Sequence, residues 1–201
     1  IMKMQSIVLS LAILMGATSA YAQQGLKLGA PAYGGTGCPA GTASLNLSPS
    51  ETELSILFDS FVAEAGGFTG VRVSRKSCNL SIPVQVPQGY SVAVIRVDYR
   101  GYNLVPSGGR NQIAAEYFWA GSQGPRLAQS FVGPKNGDYI FTNNLIAQTT
   151  VWTPCGASVN MRVNASVTSQ TNSRMDQSMM TVDSTDISTG LVYHLQWRRC
   201  F

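Results

Sequence analysis

Histidine is almost missing from this chain: His194 is the only one in 201 residues. That excludes an H-E-x-x-H zinc motif, and any Ser-His-Asp or Cys-His triad has to use this one residue. It lies on the polar side of the last strand-like segment, near Gln196 and Arg198, where a histidine reads as a surface residue. No G-x-S-x-G elbow occurs. Cysteine is sparse, and no two cysteines stand at C-x-x-C spacing, which argues against a zinc site. Charge is scarce as well, at 12% of residues. The remaining polarity comes from Ser, Thr, Asn, Gln and Gly, a mix common in secreted β-proteins and unlike a disordered chain. The formal net charge is +4, but only Arg75-Lys76 and Arg198-Arg199 place two cations side by side. A nucleic-acid surface needs a denser stripe, so no nucleic-acid partner is expected. Gly34-Gly35-Thr36-Gly37 lacks the Gly-Lys-Ser/Thr continuation of a phosphate loop. After Ala22 no apolar run is long enough to span a bilayer as a helix.

What is present begins with a leader. Lys3, the apolar stretch Ile7 to Ala17 and Ala20-Tyr21-Ala22 read as a signal peptide, residues 1–22, cleaved after Ala22. Residues 23–37 form a Gly/Ala-rich lead-in, and 38–201 a single domain large enough to bury a core. Cys38, Cys78, Cys155 and Cys200 all follow the leader, and an even count behind a signal peptide reads as two disulfides. Of the three pairings possible, Cys38–Cys78 with Cys155–Cys200 is the one expected, because it staples each half separately.

Strand patterns fill the rest. Tyr90 to Tyr102 is the longest β-like run and reads as the central strand. Before it, Leu80, Ile82, Val84 and Val86 alternate with polar residues, and Pro83 suggests an edge or a bulge there. After it, Val159, Met161, Val163, Ala165 and Val167 alternate cleanly, as do Leu191, Tyr193, Leu195 and Trp197. Gly, Pro and Asn turns separate the runs, and no helix pattern stands out. The expectation is an all-β domain: an antiparallel two-sheet sandwich, jelly-roll-like, with two disulfides.

Two kinds of chemistry fit these residues. A glycosidase-like reaction needs two convergent carboxyls, and Asp59, Asp98 and Glu116 are the acids embedded in apolar strands. A simpler role for Asp98 is to pair with Arg96 or Arg100 on its own face. Asp176, Asp183 and Asp186 lack the spacing of a calcium loop, and no metal or cofactor is indicated. Binding suits the aromatic residues better. Tyr99, Arg100 and Tyr102 stand beside a Gly-containing corner, where rings stack on sugars and Arg reaches hydroxyls. Trp119 and Trp197 read as core. N-x-S sequons occur at Asn46, Asn79 and Asn164.

Several segments carry a further signal in their order: Gly34–Phe61, SRKSCNL (Ser74–Leu80), VDYRGY (Val97–Tyr102), YFWAG (Tyr117–Gly121), VGPKNGDY (Val132–Tyr139), WTPCG (Trp152–Gly156) and LQWRRC (Leu195–Cys200). Together they resemble a family of secreted fungal and bacterial proteins known as domain of unknown function 4360. All four cysteines fall within the matching segments, which supports two bridges. The family implies no activity, substrate or site. The function expected is therefore that of a secreted, non-catalytic module binding a glycan, a cell-envelope component or another extracellular ligand. The alternative is a secreted, carboxylate-dependent hydrolase acting on polysaccharide.

Overall fold

A computed structural model describes residues 25–145, 150–182 and 190–201. The leader, residues 1–22, lies outside the described residues, as do Asp183 and Asp186. Among the described residues the chain is all-β, with thirteen strands, one 3-10 turn at Gly67–Thr69 and no α-helix.

Two antiparallel sheets form the fold. The first holds six strands: β1 (Lys27–Leu28), β2 (Ala32–Gly34), β6 (Val73–Gln85), β8 (Arg110–Trp119), β9 (Arg126–Val132) and β11 (Ser158–Gln170). Its order is β6-β11-β8-β9, with β1 and β2 sharing the outer side of β6. The second holds seven: β3 (Ala43–Leu47), β4 (Glu53–Phe58), β5 (Val62–Ala65), β7 (Tyr90–Val105), β10 (Lys135–Asn144), β12 (Ser178–Thr181) and β13 (Leu191–Arg199). Here β7 is central, with β13 and β12 in succession along one side and β10 along the other.

The expected two-sheet sandwich with two disulfides is the fold observed. Leu80, Ile82, Val84, Met161, Val163 and Val167 from one sheet are buried with Leu54, Ile56, Phe58, Val97, Leu191 and Tyr193 from the other. Burying one such side chain contributes about 1.5–3 kcal/mol. Rings lock the sheets together. Tyr117 meets Tyr193 edge-on at 5.7 Å, and Phe131 meets Tyr139 at 5.0 Å. Trp119 is buried as expected and its indole N–H donates to the Val151 carbonyl. Trp197 is half-buried at the core margin, and its N–H donates to the Glu51 carbonyl.

Two details differ from the reading of the sequence. β6 begins at Val73, well before the alternation becomes clean, because β11 pairs with it over its full length. Nor is Pro83 on an edge strand. β6 is covered on its outer side by β1 and β2, and the seam between those short strands falls at Pro83. A residue without an N–H is tolerated where the ladder is interrupted.

Both disulfides carry the expected pairing. Cys38–Cys78 ties the segment before β3 to β6, and Cys155–Cys200 ties the segment before β11 to the end of β13. The first bridge spans 40 residues, and closing a loop of that size removes about 4 kcal/mol of unfolded-state entropy at 25 °C. Cys38→Ala/Cys78→Ala is therefore expected to lose about 2–4 kcal/mol of stability in urea unfolding. A variant with an unchanged midpoint and slope would show that the bridge adds nothing.

Candidate functional site

The outer face of the six-stranded sheet carries a trough that crosses its strands. Strand alternation decides which residues point there, and the register decides which become neighbours. In β6, β11, β8 and β9 one outward residue apiece lines up across four strands: Ser77, Ser166, Ala114 and Ala128. All four are small, so the surface sinks along that row. The next outward row on one side is Asn79, Asn164, Glu116 and Arg126; on the other it is Arg75, Thr168, Gln112 and Ser130. Asn79, Asn164, Glu116 and Arg126 wall one side of the trough, and Arg75 stands on the other. With strands about 4.8 Å apart, the floor runs about 14 Å. The cavity holds about 480 Å³.

The polar groups in the trough differ in how far they are engaged. Arg126 Nε donates to Glu116 Oε1 at 2.9 Å. Gln112 and Arg110 both donate to Ser130 Oγ. Ser166 is only 7% exposed and faces the trough, yet its Oγ has no hydrogen-bond partner among the described residues. The amides of Asn79 and Asn164, directly opposite each other, are likewise without partners there. The Ser166 hydroxyl and the two amides face the trough, where a ligand's hydroxyls can take the place of water on them.

The residues singled out from the sequence fall elsewhere. Tyr99, Arg100 and Tyr102 do not form one surface. A strand sends successive side chains to opposite faces, so Tyr99 points inward while Arg100 and Tyr102 point out. The Tyr99 ring is 1% exposed and stacks on Phe141 at 4.7 Å. It is a core residue, and burial pushes its hydroxyl far above the usual phenol pKa. Tyr102 is half-buried on the outer face, where its hydroxyl bonds the Asn136 side chain. The three acids do not converge. Asp98 and Glu116 lie on opposite outer faces of the sandwich, and Asp59 is exposed in the turn after β4. Asp176 is held by Asn172 and Arg174 in its own loop.

His194 is not the surface residue that its sequence position suggests. Its side chain is 14% exposed and stands between two carboxylates. Nε2 lies 2.7 Å from Asp98 Oδ2 and Nδ1 3.3 Å from Glu53 Oε1, while Arg96 Nη2 is 3.0 Å from Nε2. Thr142 donates to the other Asp98 oxygen at 2.6 Å. The arrangement follows from the register: Glu53, His194, Arg96 and Asn144 form one row across β4, β13, β7 and β10. A bulge in β7 at Ile95 sits beside it. Burial alone raises the Asp98 carboxyl, but hydrogen bonds from Thr142 and His194, with the charges of His194 and Arg96, outweigh burial. They hold Asp98 below the usual carboxylate range. This cluster closes on itself and ties four strands together.

Comparison with known proteins gives the following. The profile of a family described as "Domain of unknown function (DUF4360)" matches residues 24–200. An "Uncharacterized secreted protein" of Arthroderma benhamiae is 34% identical over 169 residues, covering 84% of this chain and 69% of that protein. Solved structures are much more distant. TmCBM61 in complex with β-1,4-galactotriose covers 84% of this chain and 88% of its own at 11% identity, with a TM-score of 0.32. The enzymatically active domain of bacteriophage CBA120 tailspike protein 4 covers 83% of this chain and 19% of its own at 10% identity, with a TM-score of 0.29. At those scores neither carries an argument about this chain.

The Asp98 cluster has a definite pH signature. Because the folded pKa is depressed, its contribution is complete above the unfolded value of about 3.9 and is lost as pH falls through the folded value. Asp98→Asn is expected to cost about 1 kcal/mol at neutral pH, after allowing for partial exposure. That gap should close as unfolding is followed downward from about pH 5 into acid, below the ordinary carboxylate range. A gap that stays constant over this range would mean that the carboxylate's charge is not what stabilises the cluster.

Proposed function

We propose that this chain, which belongs to the DUF4360 family, is a secreted, non-catalytic module that binds a glycan in the trough of its six-stranded sheet. The observation that carries this reading is the row Ser77, Ser166, Ala114 and Ala128, set between walls of amides and hydroxyls. A sugar chain presents hydroxyls that both donate and accept, and Asn, Gln and Ser side chains do the same. The Ala114 and Ala128 methyls offer an apolar floor for the C–H faces of the rings. A trough crossing several strands suits a linear polymer, whose repeating units meet a repeating set of side chains.

Secretion is supported by two disulfides, which persist in oxidising compartments, and by the name of the fungal relative. A binding role rather than hydrolysis is supported by the placement of the acids. Glu116 is the carboxylate in the trough, and Arg126 occupies it. The acids that hydrolysis would pair stand on opposite faces, and the single histidine is held within the Asp98 cluster.

Ala114→Trp tests the site by filling the floor from an outward position of β8. A substitution on that face should change stability by no more than about 0.5 kcal/mol. The oxidised chain should be made in a host without N-glycosylation, because Asn79 and Asn164 begin N-x-S sequons in the walls. Co-sedimentation with a panel of insoluble polysaccharides is expected to retain the native protein without releasing soluble sugar. The Trp variant should bind at least about tenfold more weakly, a difference of about 1.4 kcal/mol. Equal retention of the variant would remove the trough from consideration. Release of soluble sugar would overturn the non-catalytic reading.

A further inference from the structure

We infer that the ligand of this trough is an acidic polysaccharide, a chain bearing uronate carboxylates, rather than a neutral one. The inference rests on the glycan-binding reading above and goes further by naming the charge of the ligand. In the sequence cations and acids are interspersed, but the fold separates most of the strand carboxylates from the cations of one sheet. Among the described residues the outer face of the six-stranded sheet carries Lys27, Arg75, Arg110, Arg126 and Arg162 against one carboxylate, Glu116. The outer face of the other sheet carries three arginines, Arg96, Arg100 and Arg198, with four carboxylates, Glu53, Glu64, Asp98 and Asp138. Of the two sets of outward strand residues, the one on the trough side therefore carries the positive surplus.

Not all of those cations are engaged. Arg126 is neutralised by Glu116, and Arg110 is held by Ser130. Arg75 and Arg162 are exposed and make no ion pair or hydrogen bond through their side chains among the described residues. They flank the trough from opposite sides. Arg75 is one outward row from the floor on β6, and Arg162 is two outward rows from it on β11. At about 3.4 Å per residue these are offsets of about 7 and 14 Å along the strands, within reach of a polymer seated between them. A guanidinium grips a carboxylate with two parallel N–H···O bonds, so a free Arg beside an unpartnered Ser hydroxyl and two amides makes a site for a sugar acid. The floor holds Ala and Ser, and an outward ring, Phe118, stands directly opposite Arg162.

The test compares polygalacturonate with the same polymer methyl-esterified and with a neutral glucan, at low and moderate salt. The native protein is expected to bind polygalacturonate at least about tenfold more tightly than either neutral chain, and more weakly as salt rises. Arg75→Gln/Arg162→Gln should erase that preference. Arg198→Gln/Arg199→Gln, which removes the same charge elsewhere, should keep it. If the esterified and neutral chains bind as well as the acid, or if both double variants lose affinity equally, the inference is overturned while glycan binding stands. If none of the three polysaccharides binds, the glycan reading falls with it. Tighter binding of single-stranded DNA at the same salt would overturn both in favour of a nucleic-acid ligand.

Discussion

The register of β11 between β6 and β8 is the constraint on which the rest of this molecule depends. Its inward residues Met161, Val163 and Val167 are buried against the opposite sheet. A slip of one residue would turn all of them to solvent and send Arg162, Asn164 and Thr168 inward. Such a slip would forfeit several buried side chains at about 1.5–3 kcal/mol each and would desolvate a guanidinium as well. The hydrophobic face thus admits one register. The same register sets Ser166 beside Ser77 and Ala114, so the trough on the outside is a geometric consequence of the core on the inside.

The other sheet uses the same rule for a different end. Its outward row Glu53, His194, Arg96 and Asn144 is assembled by pairing β4, β13, β7 and β10. There the polar groups answer one another, and Asp98 is satisfied by Thr142 and His194. The contrast between the two faces is chemical rather than architectural. On one face Asp98, His194 and Arg96 engage one another; on the other the Ser166 hydroxyl and the Asn79 and Asn164 amides face the trough. Polar groups already paired within the protein gain little from a ligand, whereas solvent-facing ones can exchange water for it.

Much of the fold could be read before any coordinates. The alternation in Leu80 to Val86, in Val159 to Val167 and in Leu191 to Trp197 named the inward residues, and the cysteines fell into the expected pairs. The residues of the trough were harder to find. Tyr99, Arg100 and Tyr102 are adjacent in sequence, but the two-residue period of the strand splits them between core and surface. Ser77, Ala114, Ala128 and Ser166 are small and unremarkable in sequence. The available signal was that each sits at an outward position of a clear strand. Nothing local says that they share a row.

The sequence by itself determined everything that depends on the period of two within one strand. That covers the all-β class, the side of each strand that is buried, the scarcity of histidine chemistry and the covalent frame of four cysteines. Only the tertiary structure decided what lies beside what across strands. It left Glu116 as the one strand carboxylate of the six-stranded sheet, placed Asp98 and Glu116 on opposite faces and set His194 between Asp98 and Glu53. The physical reason is that alternation is a local property of the backbone pleat, while register arises from burying two whole faces against each other.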